Sequence, residues 1–284
     1  MSKKITKKGY KKNNFFGKID YKLLLPLLLL IGLPLVAFQL QNESTDPRSR
    51  AAETSPSGQA MPVGDLSNWR QVFTDDFTVN VPVGSFLTSS YMSRYNVYGD
   101  GYKDTAGKQG APSRYYPSKV LSVNNGVLNK YLHTENSIPM GAALLPIIPG
   151  HANAYQGQTY GKYTIRFRSD SLKGFKTAWL LWPDSGVWAD GEVDFPEGDL
   201  SSTIHAFNHC VGNPSANCFS SSTGVTYASW HTADIEWTPG KISFKLDGKE
   251  ISGSPTTNSI PTKPMHWVIQ TESCLTGCPA STTQ

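Results

Sequence analysis

After residue 66 the chain is made of short stretches in which apolar and polar residues alternate, separated by Gly, Pro, Asn and Asp. Residues 241–246 alternate cleanly and are followed by Asp247-Gly248, a dipeptide typical of hairpin turns. Residues 120–132 hold two further apolar runs on either side of Asn125-Gly126. None of these stretches has the periodicity of a three-turn amphipathic helix. The pattern predicts an all-β sandwich.

A different pattern precedes this region. Residues 1–22 contain eight Lys and one Asp, and residues 23–40 are uncharged and apolar except for Gln39. Such a segment is close to the lower limit of about 17–25 residues for crossing a bilayer. A cleaved signal peptide would end in a small-x-small site, which Val36-Ala37-Phe38 does not offer. We expect an uncleaved membrane anchor with a cytoplasmic N-terminus; the alternative is a cleaved signal.

The basic tail also explains the overall charge. The formal net charge is +4, but the chain without residues 1–22 has 18 basic and 21 acidic residues and is close to −3. This part has no cluster of Lys and Arg, so nucleic acid is not an expected partner. Residues 41–65 are polar and contain proline, which predicts a flexible linker. The expected location is extracytoplasmic, either anchored to the membrane or secreted after cleavage.

Three carboxylates lie close together at Glu192, Asp194 and Glu197. Side chains alternate along a strand, so Glu192 and Asp194 share a face, whereas Glu197 falls on the other face unless a β-bulge adds one residue. Pro196 favours a bulge, because proline inside sheets is confined to edges, strand starts and bulges. Two facing carboxyls are what glycosidic cleavage requires. The alternatives are a solvated turn and a calcium-binding loop.

Aromatic residues surround these acids. Trp179, Trp182 and Trp188 precede them, and we expect at least one of the three to line a groove and at least one to be core. Residues 201–209 predict the next strand, with Thr203, His205 and Phe207 on one face. His205 is a candidate substrate-site residue if this strand pairs with the acidic one; the alternative is a structural hydrogen-bonding role.

With these flanks the Glu-x-Asp-x-x-Glu motif resembles family 16 glycoside hydrolases, in the bulged form of the laminarinase-like branch. Further similarity lies in Trp69–Phe77, which resembles the family's first strand, and in residues 160–168, 230–248 and 267–272. The resemblance covers roughly residues 66–280. It implies a concanavalin-like β-jelly-roll sandwich with a concave substrate cleft, in a catalytic domain spanning residues 66–284. Family members usually end in a further alternating strand, which we expect this domain to lack.

The resemblance also implies a function. The expected activity is retaining endo-hydrolysis of a β-linked polysaccharide, a β-1,3 or β-1,3-1,4-glucan, with Glu192 as nucleophile and Glu197 as acid/base. Asp194 lies between them and holds the nucleophile. Expected sugar contacts are Trp182, Trp188, His205 and Gln270. The alternatives are a transglycosylase that uses the same residues and a tethered, non-catalytic carbohydrate-binding protein.

The four cysteines fit an exported protein. Cys210 and Cys218 are close in sequence, as are Cys274 and Cys278, which suggests two short-loop disulfides. Four cysteines allow three pairings, and free thiols are the alternative. Neither pair has Cys-x2-Cys spacing, so we expect no zinc site. We expect no cofactor, and the sequence contains no support for a structural calcium ion.

Overall fold

The computed structural model describes Gln59, residues 64–275 and residues 277–279. The predicted basic tail, the membrane segment and nearly all of the linker lie outside these residues. The C-terminal residues 280–284 lie outside them as well. No helix in the described part of the chain is long and apolar enough to cross a bilayer.

The described residues form sixteen strands joined by short turns. The strands are β1 (Tyr95–Val97), β2 (Tyr102–Lys103), β3 (Arg114–Tyr115), β4 (Leu121–Asn124), β5 (Val127–Lys130), β6 (His133–Glu135), β7 (Ile138–Pro146), β8 (Gly161–Phe167), β9 (Phe175–Pro183), β10 (Val193–Asp199), β11 (Thr203–Cys210), β12 (Asn213–Thr226), β13 (His231–Thr238), β14 (Lys241–Leu246), β15 (Lys249–Glu250) and β16 (Met265–Ser273). Two single-turn α-helices cover Thr105–Lys108 and Pro117–Val120, and 3-10 turns cover Phe86–Thr88, Ser90–Ser93 and Trp188–Asp190. The protein is mostly β, as the alternation predicts.

The strands form two principal sheets. The large one has the order β12-β11-β10-β9-β16-β7-β3-β2, with β1 and β6 also paired to β7. The smaller one has the order β15-β14-β13-β8, and β4 and β5 form a separate hairpin. The predicted hairpins at Asn125-Gly126 and Asp247-Gly248 are both confirmed.

The hydrophobic core lies between the two sheets. Phe195 on β10 packs edge-to-face on Phe244 of β14 with ring centroids 5.7 Å apart. Phe167 on β8 and Trp179 on β9 make a similar contact at 5.3 Å. This arrangement is the predicted sandwich. Because successive side chains face opposite sides of a strand, the core position of Phe195 places Asp194 on the outer face of the large sheet.

The predicted first strand, Trp69–Phe77, is wrong. The segment forms only an isolated bridge between Leu66 and Trp69, and most of it borders a cavity of about 1490 Å³ together with residues of β8. No described strand pairs with the outer edge of β8. A segment that resembles a strand becomes one only where a neighbouring backbone supplies hydrogen bonds, and among the described residues no strand does so here.

Candidate active site

The acidic motif lies at the start of β10, in the middle of the large sheet. Asp194 is paired with Leu180 on β9 and Phe207 on β11, while Glu197 is paired with Ala178 and His205. Three residues of β10 therefore oppose two residues on each neighbouring strand. This register confirms the predicted one-residue β-bulge, which contains the cis peptide bond Phe195-Pro196.

The bulge puts the acids on one face. Val193 and Phe195 enter the core, whereas Asp194 and Glu197 face outward, and Glu192 shares the parity of Asp194. Glycines bracket the segment for steric reasons. Gly191 has φ +131°, and an added Cβ would lie 2.6 Å from Pro261 Cγ; Gly198 has φ +143°, and its Cβ would lie 2.7 Å from the Thr203 carbonyl oxygen. A side chain at either position would displace the acidic segment.

Asp194 is the most buried of the three acids, with 1% of its surface exposed. Neither of its carboxyl oxygens has a well-aligned hydrogen-bond donor among the described residues. Burial raises the pKa of Asp194 well above its ordinary value, and the negative charges of Glu192 and Glu197 raise it further. The site therefore favours the protonated form of Asp194.

Glu192 is half-buried and contacts residues on both sides of the motif. Burial raises its pKa, while the His209 side chain and a hydrogen bond from the Trp188 side chain act in the opposite direction. His209 Nε2 lies 3.3 Å from Asp194 Oδ2. His209 Nδ1 donates to the Pro214 carbonyl at 2.7 Å, so only Nε2 is left to face the acids.

Glu197 is ion-paired. Lys176 Nζ on β9 lies 2.7 Å from Glu197 Oε1, and both side chains are largely buried. Lys176 is directly opposite Glu272 on β16. Burial acts against the charged form of Lys176, but the carboxylates of Glu197, Glu272 and Asp194 outweigh it, so the pKa of Lys176 is raised.

The structure places the four expected sugar contacts as follows. Trp188 is 41% exposed and borders Glu192. Trp182 lies on the outer face of β9, whereas Trp179 is core, in agreement with the expected division of the tryptophans. His205 lies directly across from Glu197. Gln270 faces Ala178, the neighbour of Glu197, and its Oε1 accepts a hydrogen bond from the Tyr115 hydroxyl at 3.2 Å.

Two site residues were missed by the sequence analysis. His209 continues the outward face of β11 that Thr203 and His205 begin, and it contacts the acids where His205 was expected to. Lys176 shares the outward face of β9 with Ala178 and Trp182. The alternation of side chains along β9 and β11 puts both residues on an outward face. It points to the acidic site only once both strands are known to pair with β10.

Both short-loop disulfides are formed, between Cys210 and Cys218 and between Cys274 and Cys278. The first closes the turn between β11 and β12, next to His209. It therefore restrains the loop whose Pro214 carbonyl binds the His209 ring.

Glu192, Asp194 and His209 also form the one group of potential metal ligands found in the described part of the chain, with ligand atoms within 4.8 Å of one another. The Lys176 ammonium, which pairs with Glu197, also acts on Asp194 and opposes the rise in its pKa.

The chain was compared with known proteins. Residues 150–276, which include the three acids, match the model of Glycosyl hydrolases family 16. Crh-like protein 2 of Aspergillus fumigatus is 30% identical over 92 residues, which is 32% of this chain and 20% of that protein. The matched region thus spans about a fifth of the length of this curated relative.

Solved structures share the fold at low sequence identity. A non-specific endo-β-1,3(4)-glucanase from family GH16 is 16% identical with a TM-score of 0.56, covering 83% of this chain and 93% of that one. The laminarinase from Rhodothermus marinus is 20% identical with a TM-score of 0.54, covering 72% and 86%. The matched model places residues 150–276, with the bulged acidic strand, in glycosyl hydrolase family 16, and the solved structures share the fold.

Proposed function

We propose that the protein is a retaining endo-glycoside hydrolase that cleaves a β-linked polysaccharide, a β-1,3 or β-1,3-1,4-glucan. The observation that carries the proposal is the bulge, which brings Glu197 to the same outward face as Glu192 and Asp194. If the three acids did not act on the same substrate bond, the strand would have no need of a bulge that brings them to one face. The glucanase and laminarinase among the structural neighbours support this substrate class.

In this proposal Glu192 attacks the anomeric carbon and displaces the leaving sugar oxygen, which takes a proton from Glu197. Water then gives a proton to Glu197 and attacks the glycosyl-enzyme bond, which releases Glu192. The buried Asp194 stays protonated and donates to the Glu192 carboxylate, which holds it for attack. Trp188, Trp182, His205 and Gln270 contact sugar rings along the groove.

The decisive variant is Glu192→Gln, which keeps the size of the side chain and removes its nucleophile. We expect it to abolish reducing-end release from laminarin and lichenan, with an unchanged circular dichroism spectrum. Glu250→Gln on β15 of the other sheet is the matched control and should keep full activity. Wild-type activity in Glu192→Gln would refute the role of the nucleophile, and inversion of the anomeric configuration, seen by proton NMR of early products, would refute the retaining mechanism.

The same assays distinguish the competing functions. A carbohydrate-binding protein would sediment with insoluble glucan without releasing reducing ends. A transglycosylase would release few reducing ends alone and would transfer label to an added oligosaccharide acceptor. We expect the hydrolase result, because the sequence and structure contain an intact set of acids that binding alone would not need.

We also propose that the catalytic domain works outside the cytoplasm, attached to the membrane by residues 23–40. The basic, then apolar, N-terminal sequence and the two disulfides support this location. Fractionation of cells expressing the full chain should place it in the membrane fraction after alkaline carbonate washing. Recovery from the medium would instead indicate a cleaved signal.

A further inference from the structure

Lys176 is the charged residue of the site that the proposed reaction does not use. It reaches from the neighbouring strand β9 to Glu197, with Nζ 2.7 Å from Oε1. Its side chain is 15% exposed and that of Glu197 is 19% exposed. An ion pair this short and this shielded from water is stronger than a surface pair.

A second buried carboxylate lies on the strand on the other side of β9. Glu272 of β16 is the backbone pairing partner of Lys176 and is 1% exposed. The Glu272 carboxylate is fixed by three donors to Oε1: Thr105 N at 3.2 Å, Thr105 Oγ1 at 2.7 Å and the Tyr115 hydroxyl at 2.6 Å. The Lys176 ammonium is therefore paired with Glu197 and lies in the field of a second, fixed carboxylate on β16, which raises the pKa of Lys176 and favours its charged form.

The ion pair between Lys176 and Glu197 opposes the protonated form that an acid catalyst needs. A group that must donate a proton has to carry one when substrate binds, whereas a neighbouring ammonium favours the ionised carboxylate. The same ammonium assists the later step, in which Glu197 must be a carboxylate in order to take a proton from water. Lys176 thus opposes the first half of the reaction at high pH and supports the second.

We propose that Lys176 is a positioning residue that orients Glu197 through their ion pair and opposes its proton-donating step. This inference rests on the proposed function, in which Glu197 is the acid/base. The ionisable groups around Glu197 are Glu192, Asp194 and Asp199 on its own strand, Lys176 on β9, His205 on β11, Tyr227 after β12, and Glu272 on β16 through Lys176. Lys176 is the cation in direct contact with it.

The test is the pH profile of kcat/KM for reducing-end release from laminarin. Removal of an opposite charge at this distance shifts carboxylate ionisation by about 1–3 pH units. We therefore expect the alkaline limb of Lys176→Met to move up by about 1–3 pH units. Lys176→Arg should keep the limb of the wild type, because it keeps the cation. Lys173→Met, three residues earlier on the exposed surface, is the matched control and should superimpose on the wild type.

A second measurement is informative even if the Lys176→Met protein does not fold. The four cysteines of the chain are all in disulfides, so Lys176→Cys introduces a single reactive thiol. Alkylation with 2-bromoethylamine forms a thioether and restores an ammonium at nearly the same position. We expect the alkaline limb to move up in Lys176→Cys and to return after alkylation. A purely structural lysine would lower kcat at every pH and would not move the limb.

An aryl β-glucoside oligosaccharide with an activated leaving group adds a second readout. Its departure needs no proton, so the glycosylation rate of Lys176→Met on this substrate should stay within about twofold of wild type across the pH range, whereas the profile on laminarin shifts on its alkaline side. An unshifted alkaline limb in a folded, active Lys176→Met protein would overturn the role of Lys176 alone. Absence of glucan hydrolysis in the wild type, with Glu192→Gln equally inactive, would overturn the proposed function and this inference with it.

Discussion

Replacement of Asp194 by Asn should make the protein more stable at neutral pH and less active. The side chain is 1% exposed, has no well-aligned donor, and lies beside two other carboxyls. An isosteric amide fills the same space, carries no charge at any pH, and can donate to Glu192 as a protonated Asp194 would. The substitution therefore removes an electrostatic penalty without opening a cavity.

The pH dependence follows from the direction of the shift. The pKa of Asp194 is raised in the folded state, whereas in the unfolded chain it is about 3.9. Below that value both states hold the proton and the Asp and Asn proteins should be equally stable. As the pH rises, the unfolded chain loses its proton first, so the wild type loses stability relative to Asp194→Asn. The difference should therefore grow above about pH 4 and level off once the folded protein has also ionised.

The expected size comes from the difference in proton binding between the folded and unfolded states. Each pH unit over which the unfolded chain is ionised at this position and the folded protein is not costs the wild type about 1.4 kcal/mol. For a domain of this size, 1 kcal/mol moves Tm by about 2–4 °C. Thermal unfolding of Asp194→Asn and wild type at pH 3.5 and pH 7 measures both values. Asp170→Asn at an exposed position is the control and should show no pH-dependent difference. A lower Tm at pH 7, or the same gain at both pH values, would contradict the reasoning.

Three further predictions test neighbouring parts of the structure. His209→Gln removes a charge that lowers the pKa of Glu192, so the acidic limb of kcat/KM should move to higher pH; an unmoved limb would show that His209 only packs. Burial lowers the pKa of Lys130 to about 7, so the unfolded chain binds more protons above that pH and urea-measured stability should rise from pH 7 to pH 9. Lys130→Met should lack this rise, and a parallel rise in the variant would assign it to other groups. Dialysis against EDTA should leave laminarin hydrolysis unchanged, whereas a loss restored by a divalent cation would show that Glu192, Asp194 and His209 bind metal.

The sequence by itself determined the local structure. Alternation predicted the strands around residues 120–132, 201–209 and 241–246, because one buried face imposes a period of two on each strand. The dipeptides Asn125-Gly126 and Asp247-Gly248 predicted turns, because these residues accept backbone angles that others avoid. The acidic motif, with Pro196 in it, predicted the bulge for the same local reason.

The tertiary structure decided which residues meet across strands. Trp69–Phe77 resembles a family strand, yet among the described residues it forms only the bridge from Trp69 to Leu66, and pairing is a property of the whole sheet. In the sequence, Lys176 is 21 residues from Glu197, which it contacts. His209 is 15 residues from Asp194 and 17 residues from Glu192, which it contacts. Their place in the site depends on the order β11-β10-β9, which no local pattern encodes. The burial that keeps Asp194 protonated likewise arises only when neighbouring strands and loops exclude water from it.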